Sequence, residues 1–230
     1  MFETSFYLLL IALLVALSVG LHRAGAKWHP VWIGAGLWLT YIAVLAHFGV
    51  FRSFAPPPRI PLLLILPAFA TMFWFFKTGR HQPLLQGVPR WQPVVFQTFR
   101  IGVEFLILGV VLRGLGPKEP SFEGYNFDIL TGLTAPLMAL LVYKWKALSE
   151  KWVFGWNLMG LLWLVNVVFI FVSLGVAPQI WGYAQIPISP DFGEMPYLLI
   201  AGVFMPLAVF MHAFSLAQLR NRSHPPKFRT

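Results

Sequence analysis

Arg100 and Glu104 lie four residues apart near the middle of an apolar stretch from Pro93 to Leu112, and Gln97 precedes the arginine by three. Spacings of three and four place all three side chains on one helical face. A stretch of about 20 residues makes roughly 30 Å of helix, enough to cross the hydrocarbon core of a bilayer. Charges at that depth are costly, so they are kept where they are paired, watered or used. A carboxylate there can take up and release a proton, and the arginine can serve as counter-charge to it or to an anionic substrate. The same stripe also reads as a self-neutralising pair that fixes helix packing. His212 lies about 7 Å inward of the midpoint of its own apolar segment, and Arg100 about 4 Å inward of its midpoint. The two meet if those segments are neighbours, and Ser215 and Gln218 extend the face of His212. The candidate site is therefore an intramembrane polar cluster of Gln97, Arg100, Glu104 and His212.

Secondary polar candidates are Thr134 and Asn166. Thr134 belongs with Thr131, Gly132 and Pro136 to a segment of small and hydroxylated residues. Such residues allow close helix packing, and a proline frees a backbone carbonyl. Asn166 shares a face with Ser173, whereas Asn157, nine residues earlier, points to a different neighbour; hydrogen bonding between helices is the usual role of such residues. Glu123, Asn126 and Asp128 read most simply as a turn and helix cap at the outer surface.

The elements that must position these residues are seven apolar segments, near Phe6–His22, Val31–Phe51, Ile60–Phe76, Pro93–Leu112, Asp128–Tyr143, Val153–Gly175 and Pro196–Leu219. The third and fifth are short and contain Pro67 and Pro136. The 230 residues are 58% hydrophobic and 11% charged, against about 25% charged in a soluble domain, which marks a polytopic membrane protein. The chain is expected to form a single transmembrane domain over residues 1–230. With the N-terminus outside, twelve basic residues fall in inner loops and the C-terminal tail (Arg23, Lys27, Lys77, Arg80, Arg90, Lys144, Lys146, Lys151, Arg220, Arg222, Lys227 and Arg229). Only Arg52, Arg59, Arg113 and Lys118 fall outside. That imbalance over short loops predicts an all-α bundle of seven transmembrane helices, N-terminus out and C-terminus in. Trp28, Trp32, Trp91, Trp145 and Trp152 cluster at the inner ends, as interfacial aromatics do. The first segment has no basic residues before it, so it reads as a retained helix rather than a cleaved signal peptide.

Several chemistries are disfavoured. There is no cysteine, which removes disulfides, thiolate catalysis and iron–sulfur sites. The net charge of +9 sits in short blocks between apolar runs, without the aromatic–basic surface that single-strand binders use, so no nucleic-acid partner is expected. The histidines show no zinc spacing, and no metal site is expected. His47 and His212 lie roughly 16 Å apart in depth, which argues against a shared b-type haem. The seventh segment has no lysine for a retinal Schiff base. No phosphate loop or nucleophile elbow is present, so the reading leans away from an enzyme and names no cofactor.

Several patches taken together carry a resemblance. They are Pro57-Pro58-Arg59-Ile60-Pro61, Phe99-Arg100-Ile101-Gly102-Val103-Glu104, the run from Ser121 through Leu130, and Gly132-Leu133-Thr134-Ala135-Pro136. Trp156-Asn157, Asn166, Pro206, His212 and Gln218 complete the set. From residue 50 onward the chain resembles a group of uncharacterised bacterial integral membrane proteins with no assigned activity. The resemblance implies a multi-pass protein of a bacterial inner (cytoplasmic) membrane and carries no mechanism. The preferred function is movement or sensing of a proton or small solute through the polar cluster. The alternatives are a non-catalytic scaffold or subunit of a homo-oligomer or larger complex, and a haem-binding membrane protein.

Overall fold

The computed structural model describes residues 1–223. The tail residues Lys227 and Arg229, counted above with the inner basic groups, lie outside that range. Eight helices are present and no strand among the described residues. They are α1 (Phe2–Arg23), α2 (His29–His47), α3 (Pro61–Lys77), α4 (Gln82–Gly87), α5 (Trp91–Val111), α6 (Ile129–Lys144) and α7 (Glu150–Val176). The last, α8, opens as a π turn over Ile200–Phe204 and continues over Met205–Ser223. Five of them, α1, α2, α5, α7 and α8, are long and apolar enough to cross a membrane, while α3 and α6 are shorter apolar helices.

The helices pack with an apolar exterior, and polar side chains are set within a largely apolar interior. Leu8, Ile11, Leu37, Phe73, Phe105, Leu133, Leu162 and Phe169 are exposed, whereas Gln97, Arg100, Glu104, Asn157, His212 and Gln218 are buried. A soluble bundle places its residues the other way round, so this surface is suited to hydrocarbon rather than water. Helix α5 touches α1, α6 and α8, and α8 in turn touches α3, α4 and α7, so these two form the centre of the bundle.

Contacts between loops and helix termini sort into two ends. At one end Arg90, just before α5, pairs with Glu150 at the start of α7, and Gln218 late in α8 donates to the carbonyls of Leu85 and Val88 beside α4. At the other, Glu3 at the start of α1 accepts from the Tyr197 hydroxyl, and Arg113 after α5 lies over the Phe2 ring. Arg52 after α2 pairs there with Asp191 and Glu194 in the loop before α8.

Prolines explain how the outlying α2 docks. Only Ile42 of this helix is buried. A proline has no N–H for the carbonyl four residues earlier, so Pro206 leaves that of Gly202 without its helical donor and Pro67 leaves that of Leu63. The Trp38 indole donates to the first at 2.7 Å and the Tyr41 hydroxyl to the second at 3.0 Å. Both side chains come from α2, so two proline-freed carbonyls become its attachment points.

Candidate functional site

Around its tenth residue α5 departs from regular α geometry. The N–H groups of Gln97, Thr98, Arg100 and Ile101 each donate to the carbonyl three residues back, at 3.0–3.2 Å, so the helix is overwound at this turn. Mid-helix 3₁₀ turns often mark functional positions. The turn presents Arg100, only 1% exposed, to the space between α6, α7 and α8.

There the guanidinium meets three helices. Its Nε donates to Asp128 Oδ2 at 2.6 Å and Nη2 pairs with Asp128 Oδ1, a two-pronged arrangement at the start of α6. Nη1 bonds His212 Nε2 on α8 at 2.9 Å, and Nη2 reaches the Gly160 carbonyl on α7 at 3.4 Å. Arginine has only donors, so His212 Nε2 must accept and the ring proton must sit on Nδ1. That Nδ1–H donates to Asn157 Oδ1 at 2.8 Å. The Asn157 amide then donates to Ser215 Oγ at 3.0 Å and to the Val153 carbonyl. Two glycines make the approach possible. A Cβ on Gly160 would lie 2.4 Å from the His212 ring, and one on Gly132 would lie 3.0 Å from the Ile101 backbone nitrogen.

Glu104, also 1% exposed, turns away from the arginine. Its two oxygens both accept from the Asn126 amide, at 2.8 and 2.9 Å, and the same amide also contacts the Pro120 carbonyl. Asn126 Oδ1 accepts from the Asp128 backbone N–H at 2.8 Å. One side chain thereby links Glu104 to the Arg100–Asp128 pair.

Two expectations are corrected here. Arg100 does not form its ion pair with Glu104 within its own helix; its carboxylate partner is Asp128, whose two oxygens match the guanidinium fork. Nor do Asn126 and Asp128 lie at the outer surface, since they are 1% and 5% exposed, and the Asp128 side chain makes no helix-cap bond. Glu104 is about 10 Å below the end of α5 by the helical rise, so the loop that reaches it dips into the bundle. Irregular backbone at such depth is tolerated where protein surrounds it, and the dip explains why α6 is short.

The other anticipated residues divide. Gln97 does not join the cluster; it ties α5 to α8 through the Ala208 carbonyl at 3.0 Å, while its Oε1 is buried without a partner. Thr134 lies on the exposed side of α6, where it accepts from the Trp156 indole at 2.9 Å, and the Trp156 ring lies 5.4 Å from that of His212. Asn166 donates to the Tyr125 carbonyl at 2.8 Å and so anchors the dipping loop to α7. Above it, Tyr125 packs on Trp181 and the Tyr183 hydroxyl donates to Glu119 at 3.0 Å, so the two loops at this end close over the cluster. Burial, followed by the hydrogen bond and charge of Glu119, pushes the Tyr183 phenol above its ordinary value.

Asp128, Asn126, Asn157 and Gly160 were missed as cluster members because their partners are distant in sequence. Only the polar side chains beside or inside apolar segments gave a signal, and those read equally well as caps and packing bonds. Both ring nitrogens of His212 are engaged, by Arg100 and Asn157, so neither is free to ligate a haem iron in this arrangement. Three of the cavities among the described residues open elsewhere, and these are not lined by Arg100, Glu104, Asp128 or His212.

No curated protein and no solved structure matches the chain. The cluster does lie wholly within residues 57–220, which match the family model described as a domain of unknown function (DUF8737), and the protein belongs to that family.

Proposed function

We propose that this protein is a seven-span, multi-pass protein of a bacterial inner membrane, N-terminus outside, whose buried cluster binds a proton and passes it along. The spans are α1, α2, α3, α5, α6, α7 and α8. The two-ended contacts and the concentration of basic residues in alternate loops support this topology.

The observation that carries the proton reading is the charge balance of the cluster. One cation, Arg100, faces two buried carboxylates, Asp128 and Glu104. An uncompensated buried charge costs several kcal/mol, so about one proton bound to the cluster brings it to neutrality. The hydrogen-bonded order is Glu104, Asn126, Asp128, Arg100, His212, Asn157, Ser215. Glu104, Asp128 and His212 are its titratable members, and Arg100 holds Asp128 and His212 together. The Asn126 amide and the Arg100 guanidinium keep their own protons and orient Glu104, Asp128 and His212, so transfer between these three goes with side-chain rearrangement or transient water.

Close packing of the same groups favours a second reading, a scaffold or subunit in which the network only fixes the helices. Liposomes holding a pH-sensitive dye separate the two. Under an imposed gradient, Glu104→Gln and His212→Ala should each abolish most of the proton flux of the wild type. Equal fluxes from three folded proteins would put the scaffold reading in front.

A further inference from the structure

A cavity of about 990 Å³ opens at the Arg90–Glu150 end, between the end of α3, α4, the start of α7 and the end of α8. We infer that it binds an anionic phospholipid, with the phosphate at Lys151, Arg220 and His81 and an acyl chain along Phe76, Phe154 and Leu216. The inference rests on the membrane-spanning reading but is independent of proton movement.

Charge selects the headgroup. Lys151 and Arg220 line the cavity and are exposed, with no ion pair among the described residues. Glu150, the acidic residue of the wall, is paired with Arg90 at 2.9 Å, so the wall presents net positive charge. His81 supplies a second, independent feature. It lines the cavity, is 9% exposed, and its Nδ1 is buried without a hydrogen-bond partner. The Gln82 amide nitrogen lies 3.2 Å from His81 Nε2 and donates to it, so the ring proton is on Nδ1. A buried N–H with no acceptor is uncommon, and a phosphate oxygen is a suitable acceptor.

Depth selects a lipid over a soluble anion. Trp74, Trp91 and Trp152, adjacent in sequence or space to this end, are 49%, 45% and 60% exposed, the placement of aromatics at headgroup level. Phe76, Leu85, Phe154, Leu216 and Leu219 line the cavity beside the polar Gln82 and Asn221, and Phe154 is itself exposed on the outside of the bundle. Basic pockets between spans on the inner side are suited to acidic headgroups.

The test uses the delipidated full-length protein in detergent. Native mass spectrometry would follow binding of phosphatidylglycerol and phosphatidylcholine, each with and without excess inorganic phosphate. The wild type should prefer phosphatidylglycerol by at least tenfold, and inorganic phosphate should not displace it. Lys151→Gln combined with Arg220→Gln should weaken phosphatidylglycerol roughly thirtyfold, as loss of two surface cations implies, and weaken phosphatidylcholine, whose choline offsets its phosphate, far less. Both substitutions are at exposed positions, and an unaltered melting temperature would show that the fold is kept. Equal binding of the two lipids, unchanged binding by the double variant, or displacement by inorganic phosphate would each overturn the inference.

Discussion

His212 accepts from Arg100 through one ring nitrogen and donates to Asn157 through the other, so its neutral form is the one that satisfies both neighbours. A second proton on Nε2 would point at the guanidinium and break that contact, which makes the arginine the group that reports the state of the histidine. Arg100 and Asp128 should be energetically coupled. Replacing either alone with leucine leaves a buried charge and should cost about 3–5 kcal/mol, while replacing both should be near neutral. Thermal unfolding in detergent reads the difference, and additive losses would show that they do not act as a pair. In the loop before α8, Tyr183 should contribute stability below its ordinary value of about 10, and lose it as the pH rises through its raised value. Melting curves taken across that range should flatten in Tyr183→Phe.

Helix geometry determines which residues can reach the site. A glycine-to-alanine change in a helix interior is ordinarily favourable by about 1 kcal/mol. Gly160→Ala should instead destabilise by about 1–3 kcal/mol, because the new methyl would occupy the space of the His212 ring. Gly155, on the same helix with nothing within 4 Å, is the control and should show the ordinary gain. Attachment of α2 gives another check. Trp38→Phe should cost about 1 kcal/mol for the lost hydrogen bond, and less in a Pro206→Ala background, where the restored N–H can serve the Gly202 carbonyl. Equal cost in both backgrounds, measured by denaturation, would contradict the account of the proline-freed carbonyl.

Across the whole molecule, inner and outer faces should be distinguishable by reporter fusions. Those placed after Arg80 and Lys146 should read inside, and one after Glu123 outside; an outside reading at the C-terminal tail would refute the seven-span scheme. Much of the helical framework was legible because most apolar runs are long and bounded by loops, and α1, α2, α5, α7 and α8 match such runs closely. The site was legible in part. Arg100, Glu104 and His212 stood out because charge and imidazole are rare in apolar segments, but Asp128 sits at the edge of one and looked like a cap. No local pattern could show that the loop from Pro120 to Asp128 dips to the level of Glu104, because that depth is set by contacts far apart in sequence. The account rests on one bound proton offsetting the excess carboxylate of this network. Infrared difference spectra of the protein in bilayers, titrated across neutral pH, measure that directly. The account predicts a protonated-carboxyl band that disappears in Glu104→Gln and survives in Glu3→Gln. A wild-type spectrum with no such band, or one unchanged by Glu104→Gln, would contradict it.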